Sequence, residues 1–167
     1  MRPYLIAALL VICSCSAQPA MPKNDISTTL DKWHQAAANA KFDAYFNLMT
    51  PDAIYIGTDA TENWNITQFK AFAKPYFDKG KAWNFTAVQR NIYIINQDFA
   101  YFDELLDTQM KICRGSGVMR KIGNQWKVAH YVLSMTVPND NAAAVTAIKA
   151  PAEDALLSTL KASATKK

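Results

Sequence analysis

The apolar residues in the first part of the chain recur with the period of a helix. Those that mark the first helix are Ile26, Leu30, Trp33, Ala37 and Ala40. They follow one another at the spacing of one helix face, and Asp25 or Ser27 can cap the helix start. A second short helix is predicted over residues 42–49. A third begins at Asn65-Ile66-Thr67-Gln68, which approximates a capping box, and Pro75 is expected to end or kink it.

From Trp83 onward the period of the apolar residues changes to two, which predicts strands. The predicted strands are 83–88, 92–95, 99–108, 113–121 and 125–137. An earlier strand over 53–56 breaks at Gly57, and a polar loop then leads to Trp64. Helices followed by a run of antiparallel strands predict one α+β domain over residues 26–138. Residues 139–167 are expected to form a peripheral tail, helical or partly disordered.

The N-terminus has the pattern of an export signal. Arg2 provides a positive charge, and residues 4–12 form an apolar run far shorter than the ~20 residues of a membrane-spanning helix. Cys15 with the small Ser14 before it resembles the bacterial lipoprotein box. Residues 1–15 are therefore predicted to be a signal peptide, and Cys15 is predicted to carry the lipid anchor.

The residues after Cys15 bear on where the protein is held. Ser16 is typical of lipoproteins that are sent to the outer membrane, on its periplasmic side. Residues 16–25 contain two prolines among small and polar residues, so they are predicted to be a flexible tether. The alternative is cleavage after Ala17 or Ala20, which would release a soluble periplasmic protein.

Composition and charge narrow the possible partners. A chain of 167 residues with 50% hydrophobic content can bury one ordinary core. The net charge of +4 owes much to lysines at the extreme C-terminus, and no basic stripe remains to bind a nucleic acid backbone. If Cys15 is lipidated, Cys113 is the only thiol in the mature domain, so no intrachain disulfide can form.

The two histidines are the first candidates for chemistry, since both can exchange protons near neutral pH. His34 follows Leu30 on the inner side of the first helix, and His130 is in phase with Trp126 and Val128 on the last strand. Both are therefore expected to face the interior, either as reactive groups or as neutral side chains hydrogen-bonded to the structure. No metal-binding motif accompanies them, and neither a metal nor a cofactor is expected.

Glu104 is the carboxylate predicted to be buried, because it is in phase with the apolar Phe102 and Leu106. A buried carboxylate has a raised pKa unless a cation lies nearby, and Arg114 on the next strand is the expected cation. The pair would then either stabilise the sheet or act on a ligand, with Glu104 as acid or base and Arg114 as an anion anchor.

The loop between Gly57 and Trp64 supplies the remaining candidates. Tyr55 and Trp64 flank this loop and are predicted to form the rim of a pocket. Asp59 and Glu62 lie within it and either cap turns or contact a ligand.

Four stretches resemble the SnoaL-like, or NTF2-like, superfamily, in its branch of unknown function. They are Ile56-Gly57-Thr58-Asp59-Ala60-Thr61-Glu62-Asn63-Trp64, Tyr101-Phe102-Asp103-Glu104, Arg114-Gly115-Ser116-Gly117 and Gly123-Asn124-Gln125-Trp126-Lys127-Val128-Ala129-His130-Tyr131. The resemblance covers Ile26 to Pro138. It implies a cone in which three N-terminal helices pack on a strongly bent antiparallel sheet. The superfamily includes isomerases, dehydratases, cyclases and non-catalytic binders, so the fold alone leaves the activity open.

Three hypotheses follow for function. The first is an exported protein that binds a small, partly apolar ligand in the cone. The second is an isomerase or dehydratase in which a histidine or Glu104 is the base and Tyr55 donates to a developing oxyanion. The third is an envelope interaction module without a ligand. A homodimer through the sheet is expected, because both faces of the last strand are largely apolar. The predicted ligand-binding residues are His34, Tyr55, Asp59, Trp64, Glu104, Arg114 and His130.

Overall fold

The computed structural model of the protein describes residues 22–165. The predicted signal peptide and the predicted lipidation site Cys15 lie outside the described residues, and so does most of the predicted tether 16–25. The last residues of that tether are helical, because the first helix begins at Pro22. Proline suits this position, since its ring fixes φ near the helical value and the first turn needs no backbone N–H. No helix in the described part of the chain has both the length and the apolar character needed to cross a membrane.

Four helices and a short 3₁₀ turn frame the domain. The helices are α1 (Pro22–Ala38), α2 (Phe42–Asn47), α3 (Ile66–Asp78) and α4 (Ala142–Ala164), and the 3₁₀ turn is Asn139–Asn141. The predicted capping box is present at the start of α3, where Asn65 and Gln68 satisfy each other's backbone N–H groups. α3 continues through Pro75, so of the two expected effects this proline does not end the helix. Gly80, with φ of +71°, closes the segment after it.

Six strands form one mixed sheet. They are β1 (Met49–Ile56), β2 (Asn63–Asn65), β3 (Thr86–Ile94), β4 (Phe99–Thr108), β5 (Lys111–Ile122) and β6 (Gln125–Met135). Their order across the sheet is β2-β1-β6-β5-β4-β3. The predicted α+β class is confirmed, but the sheet is not purely antiparallel. β1 lies parallel to β6. The chain leaves β1 through β2 and α3 and reaches β6 only at the end of the domain, which provides the long connection that a parallel pair requires.

The segment around Arg90 forms one strand, where the sequence predicted two. Residues 83–88 and 92–95 were expected to be separate strands, whereas β3 is continuous from Thr86 to Ile94. The gap between the two predicted strands, residues 89–91, contains Arg90, which lies directly opposite Glu104 on β4. The pairing register shifts between Ala87 and Gln89, and an irregularity of this kind bends a strand.

A bulge in β6 changes which residues face the core. Val118 pairs with His130 but Met119 pairs with Val128, so Ala129 is an extra residue on β6. The inward set therefore passes from Trp126 and Val128 to Tyr131 and Leu133, all of which are buried. The prediction that His130 faces the interior is wrong, because the bulge places this side chain on the outer face.

Aromatic side chains fill most of the space between the helices and the inner face of the sheet. The largest buried members of this core are Trp33, Tyr45, Tyr131, Phe69 and Phe102. The ring of Trp33 stacks on Tyr45 at 4.9 Å and meets Tyr131 edge-on at 4.8 Å. These ring contacts fill the centre of the cone. By contrast, α4 buries none of its residues and continues through Pro151 as a peripheral helix.

Candidate functional site

A buried ionic network surrounds Glu104 at the centre of the inner face. Glu104 is only 1% exposed, and each of its carboxylate oxygens has protein partners. Oε1 accepts hydrogen bonds from His34 Nε2 at 2.7 Å and from the Tyr131 hydroxyl at 3.1 Å. Oε2 accepts from Arg90 Nε at 2.9 Å, and Arg90 Nη2 lies 2.8 Å from the same oxygen without hydrogen-bond alignment. An ionised carboxylate can only accept, so His34 carries a proton on Nε2.

Arg90 extends the network from the sheet to α1. Its Nη1 donates to the Ser27 carbonyl oxygen at 3.1 Å, to Ser27 Oγ at 2.9 Å and to Asp31 Oδ1 at 2.7 Å. The cation beside Glu104 is therefore Arg90, and the prediction of Arg114 is wrong. Arg114 lies opposite Leu105 and is exposed, because neighbouring residues on a strand point to opposite faces.

A glycine on β5 leaves room for this network. Gly115 lies opposite Glu104, and a Cβ at this position would be 2.1 Å from the Tyr131 hydroxyl oxygen and 3.0 Å from Glu104 Oε1. Any larger residue would displace Tyr131 from Glu104. The conformational freedom of glycine is not what matters here; the absence of a side chain is.

The electrostatics of the network keep Glu104 ionised. Burial alone would raise the pKa of Glu104, but the hydrogen bond from His34 and the charges of His34 and Arg90 outweigh it and lower this pKa below its ordinary value. For Tyr131, burial and the neighbouring Glu104 charge both raise the pKa of the hydroxyl. Tyr131 therefore stays protonated and donates its hydrogen bond.

The network offers little to a substrate. The acceptor positions of Glu104 are taken by His34, Tyr131 and Arg90. A general base works best with a pKa near the operating pH, whereas the pKa of Glu104 is shifted the other way. The arrangement is that of a buried ion pair that fixes α1 on the sheet.

A polar hollow lies beside His34 at the edge of α1. Its volume is about 380 Å³, and its lining includes Asp31, His34, Gln35, Asn84 and Phe85. His34 itself is 4% exposed, so it forms part of the floor of this hollow. Within residues 22–165, no cluster of three or more His, Cys, Asp or Glu side chains is placed to hold a metal ion.

A second cavity, here called the aromatic cavity, lies between α3, the end of β1 and the loop before β2. Its volume is about 160 Å³. It is lined by Tyr55, Gly57, Thr58, Glu62, Trp64, Phe69, Phe72, Trp83, Phe85, Gln109 and Leu133. Tyr55 and Trp64 thus lie where the sequence places the pocket rim. His34, Glu104, Arg114 and His130 are not part of this lining, so the expectation that they hold the polar end of a ligand here is wrong.

The walls of the aromatic cavity consist of rings stacked against one another. Tyr55 stacks on Phe69 at a centroid distance of 4.0 Å, and Trp64 stacks on Phe72 at 4.3 Å. Trp64 and Trp83 each lie 5.8 Å from Phe69 and nearly parallel to it. These contacts fix the rings, so the cavity has rigid walls.

Asp59 serves the loop and does not line the cavity. Its Oδ1 accepts from the Thr61 backbone N–H at 2.8 Å and from Thr61 Oγ1 at 2.6 Å. These two bonds lower the pKa of Asp59. This is the turn-capping role that was the alternative for this residue.

Comparison with known proteins agrees with the fold. Residues 26–138 match the sequence profile of the SnoaL-like domain. The chain belongs to the SnoaL-like family. No curated protein matches the chain.

Solved structures that resemble this SnoaL-like chain share its fold at low sequence identity. An NTF2-like protein of unknown function from Pseudomonas putida KT2440 has a TM-score of 0.60 at 16% identity, covering 72% of this chain and 90% of its own. An NTF2-like protein from Cytophaga hutchinsonii ATCC 33406 has a TM-score of 0.59 at 16% identity, covering 70% and 100%. The association domain of C. elegans CaMKII has a TM-score of 0.57 at 21% identity, covering 68% and 95%.

Three residues that shape this SnoaL-like domain were missed or misjudged from the sequence. Arg90 is in phase with Ile92 and Ile94, so a charged residue on the inner face was visible in the pattern. Tyr131 reaches Glu104 because the bulge at Ala129 turns it inward, and nothing in the sequence marks this bulge. For Glu62 the sequence left turn capping and ligand contact as alternatives, and its position five residues after Gly57 does not by itself reveal that it reaches the aromatic cavity.

Proposed function

We propose that this SnoaL-like domain binds a small, ring-sized and mostly apolar molecule in the aromatic cavity. The observation that carries the proposal is a cleft of about 160 Å³, open to solvent on one side, with aromatic walls and only a few polar groups. Protein cavities of about 150 Å³ accommodate a benzene-sized ring. The cleft therefore has room for one small ring or a group of similar size.

A few polar groups in the cavity supply directionality for the ligand. Glu62, Thr58 and Gln109 belong to the lining. Tyr55 is a buried side chain that also lines the cavity. Burial and the charge of Glu62 raise the pKa of Tyr55, which keeps its hydroxyl protonated. A ligand with one or two polar atoms would satisfy these groups.

Proton-transfer catalysis with Glu104 as the base is less well supported. Glu104 and His34 do converge, at 2.7 Å, which that hypothesis requires. However, Glu104 is also held by Arg90 and Tyr131, and it lies outside the lining of the aromatic cavity. The carboxylate would have to leave these partners before it accepted a proton from a substrate.

Leu133→Phe is expected to abolish binding of a ring-sized probe such as indole or phenol. Leu133 lines the aromatic cavity from β6, so a larger side chain there would occupy part of the 160 Å³. Binding is measured by quenching of tryptophan fluorescence, since Trp64 and Trp83 both line the cavity. At least a tenfold loss of affinity is expected, about 1.4 kcal/mol.

The matched control is Leu105→Phe, which makes the same change on the outer side of β4, away from the cavity. It should leave probe affinity unchanged. If no ring-sized probe binds the wild-type protein, or if both variants bind as the wild type does, the proposed function is incorrect.

We further propose that the protein forms a homodimer through the outer face of its sheet. Ile54, His130, Val118, Tyr101 and Tyr93 follow one another in register across five strands on this face. Tyr93 and Tyr101 stack at 4.7 Å and are 43% and 45% exposed. Such a row of apolar and aromatic residues is typical of an interface core. That one structural relative is an association domain is consistent with this proposal.

Tyr101→Glu is expected to convert the dimer to a monomer. Loss of a central interface tyrosine costs about 2 kcal/mol or more, so the dissociation constant should rise by at least ~30-fold. Sedimentation velocity over a range of protein concentrations measures this shift. The control is Ile148→Glu on α4, which introduces the same charge at an apolar residue that is 81% exposed and not on the sheet. A monomeric wild-type protein at high concentration would refute the dimer.

A further inference from the structure

Within the described part of the chain, the only charged side chain that lines the aromatic cavity is negative. Glu62 is the one carboxylate among the residues that line it, and they include neither lysine nor arginine. Glu62 makes no salt bridge with another residue in the described range 22–165. The cavity therefore combines one uncompensated negative charge with apolar walls, an unfavourable environment for an anion.

Contacts within the loop fix the position of the Glu62 carboxylate. Oε2 accepts a hydrogen bond from the Asp59 backbone N–H at 3.1 Å, and the Gly57 backbone N–H donates to the Glu62 carbonyl oxygen at 2.9 Å. A Cβ on Gly57 would lie 2.1 Å from Glu62 Oε2, so the carboxylate packs directly over the glycine. Oε1 has no hydrogen-bond partner among the residues described, which leaves one acceptor available to a ligand.

The aromatic walls are suited to a cation. Two tryptophans, Trp64 and Trp83, line the cavity together with Tyr55 and three phenylalanines. The face of an aromatic ring carries partial negative charge and attracts an ammonium group within about 6 Å, and tryptophan does so most strongly. Sites that recognise methylated ammonium ions use such rings, and a nearby carboxylate adds a full negative charge.

We infer that the ligand of the aromatic cavity is a small organic cation, namely a methylated or cyclic ammonium ion. The positive group lies against the tryptophan rings with Glu62 as its counter-ion, and the remaining carbon atoms fill the apolar space. A volume of about 160 Å³ admits a tetramethylammonium- or choline-sized ion. This inference rests on the proposed function, because it specifies the ligand class of the same cavity.

The experiment compares choline with its neutral carbon isostere, in which carbon replaces the quaternary nitrogen. The two probes have nearly the same shape, so their difference in affinity reports the charge. Tetramethylammonium serves as a third probe without the hydroxyl group. Binding to the full chain is measured by tryptophan fluorescence and by calorimetry. Choline is expected to bind at least tenfold more tightly than its isostere.

Glu62→Gln tests the source of this preference. It should reduce choline affinity about tenfold relative to the affinity for the neutral isostere, because only choline carries the charge that Glu62 balances. The control Asp43→Asn removes an exposed carboxylate from α2, away from the cavity, and should change neither affinity. Gly57→Ala should act like Glu62→Gln, because the new Cβ displaces the carboxylate.

The outcomes separate the ligand class from the binding site. If the neutral isostere binds as tightly as choline, and Glu62→Gln changes neither affinity, the cation inference is overturned while binding in the cavity stands. If indole and phenol bind and choline does not, the same conclusion holds. If none of the probes binds the wild-type protein, both the inference and the proposed function are overturned.

Discussion

Arg90→Met is expected to lower the free energy of unfolding by about 3–5 kcal/mol, the usual cost of removing one partner of a buried ion pair. Methionine preserves much of the packing of the arginine stem but removes the guanidinium charge beside Glu104. The side chain of Glu104 is inaccessible to solvent, so water cannot compensate for the loss. The contacts of Arg90 with Ser27 and Asp31 on α1 are lost as well.

Urea unfolding at neutral pH measures this effect, and Arg120→Met is the matched control. Arg120 makes two hydrogen bonds to Asp52, at 2.9 Å and 3.0 Å, but this pair is exposed. An exposed pair contributes at most about 1 kcal/mol. Equal losses for the two variants would show that the Arg90 network is no more important than a surface salt bridge.

The pH dependence of the same variant gives an independent check. Because the pKa of Glu104 is lowered in the folded protein, its ionised form contributes stability above the ordinary pKa of glutamate, about 4.3. That contribution is lost as the pH falls through the folded-state pKa. Without Arg90, Glu104 takes up its proton at higher pH. The stability difference between wild type and Arg90→Met should therefore shrink as the pH is lowered below about 4.

Gly117→Ala is expected to destabilise the protein by about 3 kcal/mol, at the upper end of the range for overpacked interiors. A Cβ at Gly117 would lie 2.3 Å from the backbone oxygen of His130 and 3.0 Å from the ring of Phe102. A flexible side chain could move aside, but the backbone of β6 is held by its pairing with β5.

The sign of the change decides this prediction, because an alanine without a clash would stabilise the protein by about 0.4–1 kcal/mol through the unfolded state. Thermal and urea unfolding both report the sign. Ser116→Ala, at the adjacent position on β5 whose side chain points to the other face, should stay within about 0.5 kcal/mol of the wild type. A stabilised Gly117→Ala variant would mean that β5 and β6 are less closely packed than described.

The parts of the fold that depend on local pattern could be predicted from the sequence. The capping box at Asn65 and Gln68 is a local signal, and it starts α3 as expected. Alternation along β4 was sufficient to predict that Glu104 is buried. Tyr55 and Trp64 were identified as pocket residues because aromatic residues flank a loop that begins at glycine.

The errors arise where contacts between distant residues decide the structure. Arg90 and Arg114 are both close to Glu104 in the sheet, and only the pairing register shows that Arg90 is the one directly opposite it. The parallel pairing of β1 with β6 joins residues more than seventy positions apart, which no local pattern encodes. For Glu62, the bond from the Asp59 backbone N–H sets the direction of the side chain, and this depends on the full loop conformation.

The extra residue at Ala129 has a consequence for comparisons among relatives of this protein. Ala129 reverses the face of the sheet to which every later side chain of β6 points. If a sequence alignment gains or loses one residue at this point, it pairs inward-facing residues of one protein with outward-facing residues of the other from His130 onward. A relative with a histidine aligned to His130 but lacking the insertion would direct that imidazole into its interior. If a catalytic role were then assigned to His130 from the alignment alone, it would be assigned to a side chain on the opposite side of the sheet.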